Sequence, residues 1–203
     1  MLLNIKMMKY SVRSMGKTGT REFVSVRKVY AMIAGSLLYA ALTIPFNVLP
    51  IPLEGGPVAV RPTVAIPMLF GFAFGPIIGF VSGLLGSIIS DGLSFSGFFW
   101  NWEIGNGLLG TIPGIAYFVI KRADWTKART LATVAILAIF ASIVGIGFAT
   151  MSDYIFQINL TTIDAALAEF YWHGATDSIN GAILTPILVY AYGRATARRT
   201  RKV

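Results

Sequence analysis

Two short stretches of this chain concentrate side chains able to do chemistry. The first, "WNWEIGNG", holds Trp100, Asn101, Trp102, Glu103 and Asn106. The second, "YWHGATDSINGA", holds Tyr171, Trp172, His173, Asp177 and Asn180. On an α-helix Glu103 and Asn106 share a face with Gly110, and His173, Asp177 and Asn180 share another. Two chemistries suit such groups. Two carboxyl groups and a histidine can move protons, which would make Glu103, His173 and Asp177 the acid–base groups of a membrane enzyme. Aromatic plates beside a few directed polar groups instead make a small-molecule binding site. Plainer roles compete with both: tryptophans can form an interfacial belt, and asparagines can hydrogen-bond helix to helix. His173 is the single histidine and there is no cysteine. A metal would lack a second nitrogen or sulfur ligand, so no metal or cofactor is expected. His173 is expected to hydrogen-bond Asp177 or a ligand.

The elements that must position these groups are membrane helices. Of 203 residues, 55% are hydrophobic and 13% charged, about half the charge of an ordinary soluble domain. Apolar runs predict spans at about 29–49, 62–74, 76–90, 99–120, 131–151 and 172–192, the second and third being short for a crossing. The fold expected is all-α, a polytopic six-transmembrane-helix bundle. Residues 1–28 are expected to form a basic cytoplasmic tail, too long and diffuse for a signal peptide, 29–194 the membrane domain, and 195–203 a second basic cytoplasmic tail. With both ends inside, the N-terminal tail, the loop at 121–129 and the C-terminal "GRATARRTRKV" hold 16 of the 17 Lys and Arg residues, as the positive-inside rule requires. The net charge of +8 therefore reads as orientation in a bilayer, not as affinity for nucleic acid. Arg61 is the exception. It is expected either to pair with Glu54 or Asp91 or to meet an anionic or carbonyl group of a ligand.

Other patterns concern packing. Gly75, Gly79, Gly83 and Gly86 fall on one face of the third span, where small residues let helix backbones approach. The first span carries Ala31 with Gly35 and Ser36 with Ala40, small residues four apart that could seat an external partner. "GKT" at 16–18 lacks the glycine five residues earlier that a P-loop needs, and no hydrolase signature is present. With no clear inverted repeat and no line of charges through the membrane, a self-sufficient pump is poorly supported. The first loop, "PIPLEGGPVAV", is rich in Pro and Gly and could close over a site from outside.

In chain order these features resemble a known family. A first helix with small residues four apart, a Pro/Gly loop and a short second helix lead into "LFGFAFGPIIGFVSGLLGSIISDGLS". The polar-aromatic start of helix four and "DSINGAIL" in helix six complete the set. From about Arg27 to Arg194 the chain is similar to the substrate-binding (S) component of an energy-coupling factor (ECF) vitamin transporter of the prokaryotic cell membrane. The resemblance implies six helices holding a vitamin near the outer surface, with the first loop as lid. It implies a separate transmembrane coupling subunit docked at Ala31, Gly35, Ser36 and Ala40, and two ATPases that supply the energy. It implies ligand contacts from Trp100, Asn101, Trp102, Glu103, Asn106, Tyr171, Asp177 and Asn180. The aromatics suit a planar ring. Glu103 and Asp177 suit a cationic or donor-rich one, such as thiamine or its pyrimidine precursor. Arg61 leaves riboflavin-like or acidic vitamins open, and a corrinoid precursor is also open.

Overall fold

The computed structural model describes residues 26–47, 50–53, 56–94, 97–121 and 124–200. The N-terminal tail before residue 26, Glu54 and Gly55 of the first loop, and the last three residues lie outside them. Among the described residues there are six α-helices: α1 (Val26–Asn47), α2 (Ala65–Phe74), α3 (Pro76–Ser94), α4 (Trp100–Gly114), α5 (Ala128–Ile155) and α6 (Ile163–Thr200). The all-α bundle expected from the hydropathy pattern is what forms. One addition is a small antiparallel ribbon in the first loop, β1 (Pro50–Leu53) and β2 (Gly56–Ala59), with Pro50 opposite Ala59 and Leu53 opposite Gly56.

The helix α2 sits at the centre, against α1, α3, α4 and α6. Its ten residues, "AIPMLFGFAF", are apolar all round, the pattern of a helix covered on every side. Ala65, Ile66, Met68, Phe72 and Ala73 are all buried. Its shortness is thereby explained: neighbouring helices cover its ends, so it need not meet water on both sides. Gly75 closes α2 with φ +110°, its N–H bonded 2.8 Å to the Gly71 carbonyl, and Pro76 opens α3. Only glycine takes that φ without strain, and proline suits a helix start.

Around α2 the order of neighbours is α1, α3, α4, α5, α6. The outward faces are apolar at helical spacing: Ile33 and Leu37 on α1, Ile136, Ile139, Phe140 and Ile143 on α5, and Ile179, Ile183 and Ile187 on α6 are exposed. Such a surface belongs against lipid or an apolar partner helix. The helices α1 (as far as Pro45), α3 and α5 are each long and apolar enough to cross a membrane.

Helix direction sorts the two ends of the bundle. Lys28 at the start of α1, Arg129 at the start of α5 and Arg194 near the end of α6 gather with the Gly75–Pro76 turn at one end. Trp125 is buried there, its ring 5.1 Å from Phe72 and 5.8 Å from Tyr192. The opposite end receives the first residues of α4, the ends of α3 and α5, and the first turns of α6. At 38 residues, α6 extends about 57 Å, far beyond the roughly 30 Å apolar slab. It begins nine residues before the span predicted for it, and that extra length carries Glu169 to the non-basic end.

Candidate ligand-binding site

A cavity of about 360 Å³ opens at this second end. Tyr39 and Thr43 of α1 form one wall, Ser87 and Asp91 of α3 another, and Phe99, Trp102 and Asn106 a third at the start of α4. Asp153 comes from the end of α5 and Asn159 from the loop that follows, Glu169 and His173 from α6, and Arg61 from the segment joining the ribbon to α2.

Arg61 is the hub. It is 8% exposed. Its Nη1 lies 3.5 Å from Asp177 Oδ2, and its Nη2 donates to Tyr39 Oη at 3.1 Å and to Asn106 Oδ1. Burial works against the guanidinium charge, but Asp177 and Tyr39 outweigh it, so the pKa is raised and the group stays protonated. Asn106 Oδ1 also accepts from Tyr39 Oη at 3.2 Å, and Asn106 Nδ2 donates to Ser87 Oγ at 2.9 Å. One guanidinium thus ties together α1, α4 and α6, with α3 joined through Asn106. Such a network fixes side-chain positions, although the Asp177 carboxylate is held by the ion pair with Arg61 alone, neither of its oxygens being hydrogen-bonded.

A second set frames the opposite wall. Trp102 Nε1 donates to Asp153 Oδ2 at 2.7 Å, and Asn159 Nδ2 reaches the other oxygen of Asp153 at 3.5 Å. The Trp102 and His173 rings stand edge to face, 5.4 Å apart. His173 Nδ1 faces the Glu169 carbonyl at 3.3 Å. Behind Ser87 and Asp91 lies Glu103, 1% exposed, its carboxyl group facing the Ser87 hydroxyl and the Asp91 carboxyl without closing a hydrogen bond to either.

The expected site residues divide. Arg61, Trp102, Asn106 and His173 line the cavity. Glu103 and Asp177 sit in the layer behind it. Asn101 is buried and donates to the Ala149 carbonyl at 2.8 Å, so it joins α4 to α5. Trp100 is 39% exposed and packs edge-on to Phe148 and Phe156, while Tyr171 is 64% exposed beside Trp172. Asn180 is half-buried and does not reach the cavity.

Several expectations need correction. Arg61 pairs with Asp177, not with Asp91; Glu54 lies outside the described residues. His173 turns back to Glu169 instead of bonding Asp177. Glu103, His173 and Asp177 are therefore not assembled as an acid–base set. Among the described residues no three His, Cys, Asp or Glu side chains converge as a metal site needs. The small residues of α1 face inward: Ala31, Gly35, Ser36 and Ala40 are buried. Ser36 Oγ donates to the Val81 carbonyl at 3.3 Å, and a Cβ on Gly35 would strike Ser82 and Phe70. Their partner is this chain's own core.

Tyr39, Thr43, Ser87, Phe99, Asp153, Asn159 and Glu169 line the cavity without having stood out in the sequence. Tyr39 lies within an apolar run and reads like any membrane aromatic. Asp153 and Glu169 read as loop acids because hydropathy places them past the spans. Asp153 could have been found from its place inside "ATMSDYIF", where a carboxyl group interrupts a helix.

The family model described as ECF-type riboflavin transporter, S component, matches residues 24–194. A UPF0397 protein of Streptococcus pneumoniae is 26% identical over 178 residues, covering 86% of this chain and 93% of its own length. Another, of Streptococcus gordonii, is 24% identical over 161 residues, covering 78% and 86%. No solved structure matches the chain significantly.

Proposed function

Taking as premise that this chain belongs to the family of ECF-type riboflavin transporter S components, we propose that it binds a vitamin in the cavity around Arg61, Trp102 and Asn106 and carries it across the membrane. Family membership makes the chain a component of a prokaryotic membrane transporter, and its role is read as binding and transport, not catalysis. The observation that carries the binding reading is a single one: a half-open, polar-walled cavity at one end of an otherwise apolar bundle. Its size, near the lower end of the usual ~300–1,000 Å³, suits one small ring system with short substituents, not a corrin macrocycle.

The cavity end is proposed to face outward, since every described Lys and Arg except Arg61 lies toward the other end. All six helices are proposed to reach across or into the bilayer of the cell membrane. The ribbon of the first loop, which runs straight into Arg61, is proposed as the lid. Energy would come from two ATPases and a transmembrane coupling subunit, because the chain holds no nucleotide-binding motif of its own. With the small residues of α1 turned inward, the coupling subunit is assigned the outward face around Ile33, Leu37 and Leu38, all exposed.

Titrating the purified protein with a vitamin panel tests the binding reading. At least one vitamin should raise the melting temperature and change the tryptophan fluorescence through Trp102. Failure of every vitamin would remove the assignment.

A further inference from the structure

We propose that a groove between α4 and α5, at the basic end of the bundle, holds one anionic phospholipid of the cytoplasmic leaflet. The groove shares no residue with the vitamin cavity at the other end.

The groove has a local cause. Pro113 lies in the last turn of α4, and after Gly114 the chain tightens into a 3-10 turn, Ile115–Phe118. Proline offers no N–H to the helix ladder, and its ring crowds the turn before it. The helix α5 runs alongside as regular helix for 28 residues. A space of about 650 Å³ is left between them. Ile112 and Ala116 are its buried residues, while Ile115, Val119 and Phe140 stand exposed along its sides.

Charge is confined to one end of this space. Lys127 and Arg129 line it where α5 begins, with Asp124 close by. Lys127 Nζ pairs with Asp124 Oδ1 at 2.6 Å. Arg129 is exposed and enters no ion pair among the described residues. The lining therefore carries more positive than negative charge, and Arg129 is the cation left over. The first turn of α5 reinforces it, since no acid stands there to offset the positive end of the helix.

Dimensions and chemistry then point to one occupant. From Arg129 to Phe140 the groove follows α5 for about 16 Å at ~1.5 Å per residue. One leaflet is half of the ~30 Å apolar slab, so the groove is as deep as one leaflet. An acyl chain suits its apolar length, and a phosphate suits the cationic end at the depth of the headgroups. A soluble anion would gain nothing from the apolar length. Basic pockets between membrane helices on the cytoplasmic side attract anionic headgroups in this way. A zwitterionic headgroup is less favoured, because Asp124 already has Lys127 and offers its amine no free partner.

Native mass spectrometry of the full chain tests this, after detergent purification and incubation with equal amounts of phosphatidylglycerol and phosphatidylcholine. One phosphatidylglycerol should stay bound, favoured over phosphatidylcholine by about tenfold or more. Arg129→Gln should lower its retention by about the same factor. Thr133→Phe keeps every charge but fills the groove, which Thr133 lines, and should also lower retention. If that variant fails to fold, Val119→Trp on the exposed side takes its place with the same expectation. Lys28→Gln, at the same end on α1 but outside this groove, should change nothing. Equal retention of the two lipids overturns the proposal. So does a loss from Lys28→Gln as large as that from Arg129→Gln, which would mean diffuse attraction and no built site. Unchanged retention in the groove-filling variant, or full displacement by inorganic phosphate, overturns it as well. Vitamin binding is expected to be the same in all these variants, so any of those results leaves the transport reading intact.

Discussion

The helices α3 and α4 meet in two different ways along one interface. From the basic end to mid-helix their backbones nearly touch. A Cβ added to Gly79 would strike the Gly110 carbonyl, one on Gly83 would strike the Asn106 carbonyl, and one on Gly114 would strike Pro76. Gly71 of α2 meets the same Gly110 carbonyl. At the other end the facing residues are Ser87 and Asp91 on α3 with Trp102 and Glu103 on α4, and the cavity opens between those helices and their neighbours. In lipid there is little hydrophobic drive to join helices, so close backbone contact supplies dispersion energy where side chains are absent. Where side chains return, the helices are held by hydrogen bonds instead and leave room for a ligand. One end of the interface is a fixed joint that lets the other end stay open.

That contrast can be broken in several places. The largest effect is expected at the joint. Gly110→Leu has only backbone to displace, so it should cost about 3 kcal/mol or more and abolish the folded monomer in detergent. Gly92→Ala is the control: a Cβ there meets nothing within 4 Å, and the melting temperature should stay put. Next comes Arg61→Ala, which strands Asp177 as an unpaired buried carboxylate. A loss of about 3 kcal/mol is expected by denaturation. Adding Asp177→Leu should recover part of it, since removing the second charge removes the penalty.

Smaller effects belong to the cavity. Trp102→Phe removes the donor to Asp153 but keeps an aromatic plate. Ligand affinity should fall about tenfold, and the free protein should lose about 1 kcal/mol or more because the buried Asp153 carboxylate is left without that donor. Smallest are Trp100→Phe and Tyr171→Phe. Both rings lie outside the cavity, so binding and stability should stay within about 0.5 kcal/mol of the parent. A strong binding loss from either would mean that the ligand site extends beyond the cavity wall.

Much of this architecture was legible in the sequence because its causes are local. The Gly75–Pro76 turn follows from what those two residues do to their own backbone. The polar start of α4 announces itself because membrane helices rarely carry Glu and Asn without cause. The pairing of the polar groups was not legible. Whether Arg61 meets Asp91 or Asp177 depends on which helices are neighbours, which no single-helix pattern encodes. The small residues of α1 show the same gap: their spacing defines a face, but that face turns toward α3 and not toward a partner. Tyr39 is the clearest loss. Its hydroxyl bridges Arg61 and Asn106, yet its sequence surroundings, "LLYAAL", resemble any lipid-facing run.

Transport as proposed requires that the cavity around Arg61, Trp102 and Asn106 hold a vitamin. Mass spectrometry of small molecules released from the purified protein addresses it most directly, comparing the parent with Asn106→Leu and Trp102→Ala. One vitamin at about one molecule per chain is expected from the parent, and its loss from both variants while they remain folded. A ligand retained equally by folded variants would contradict it.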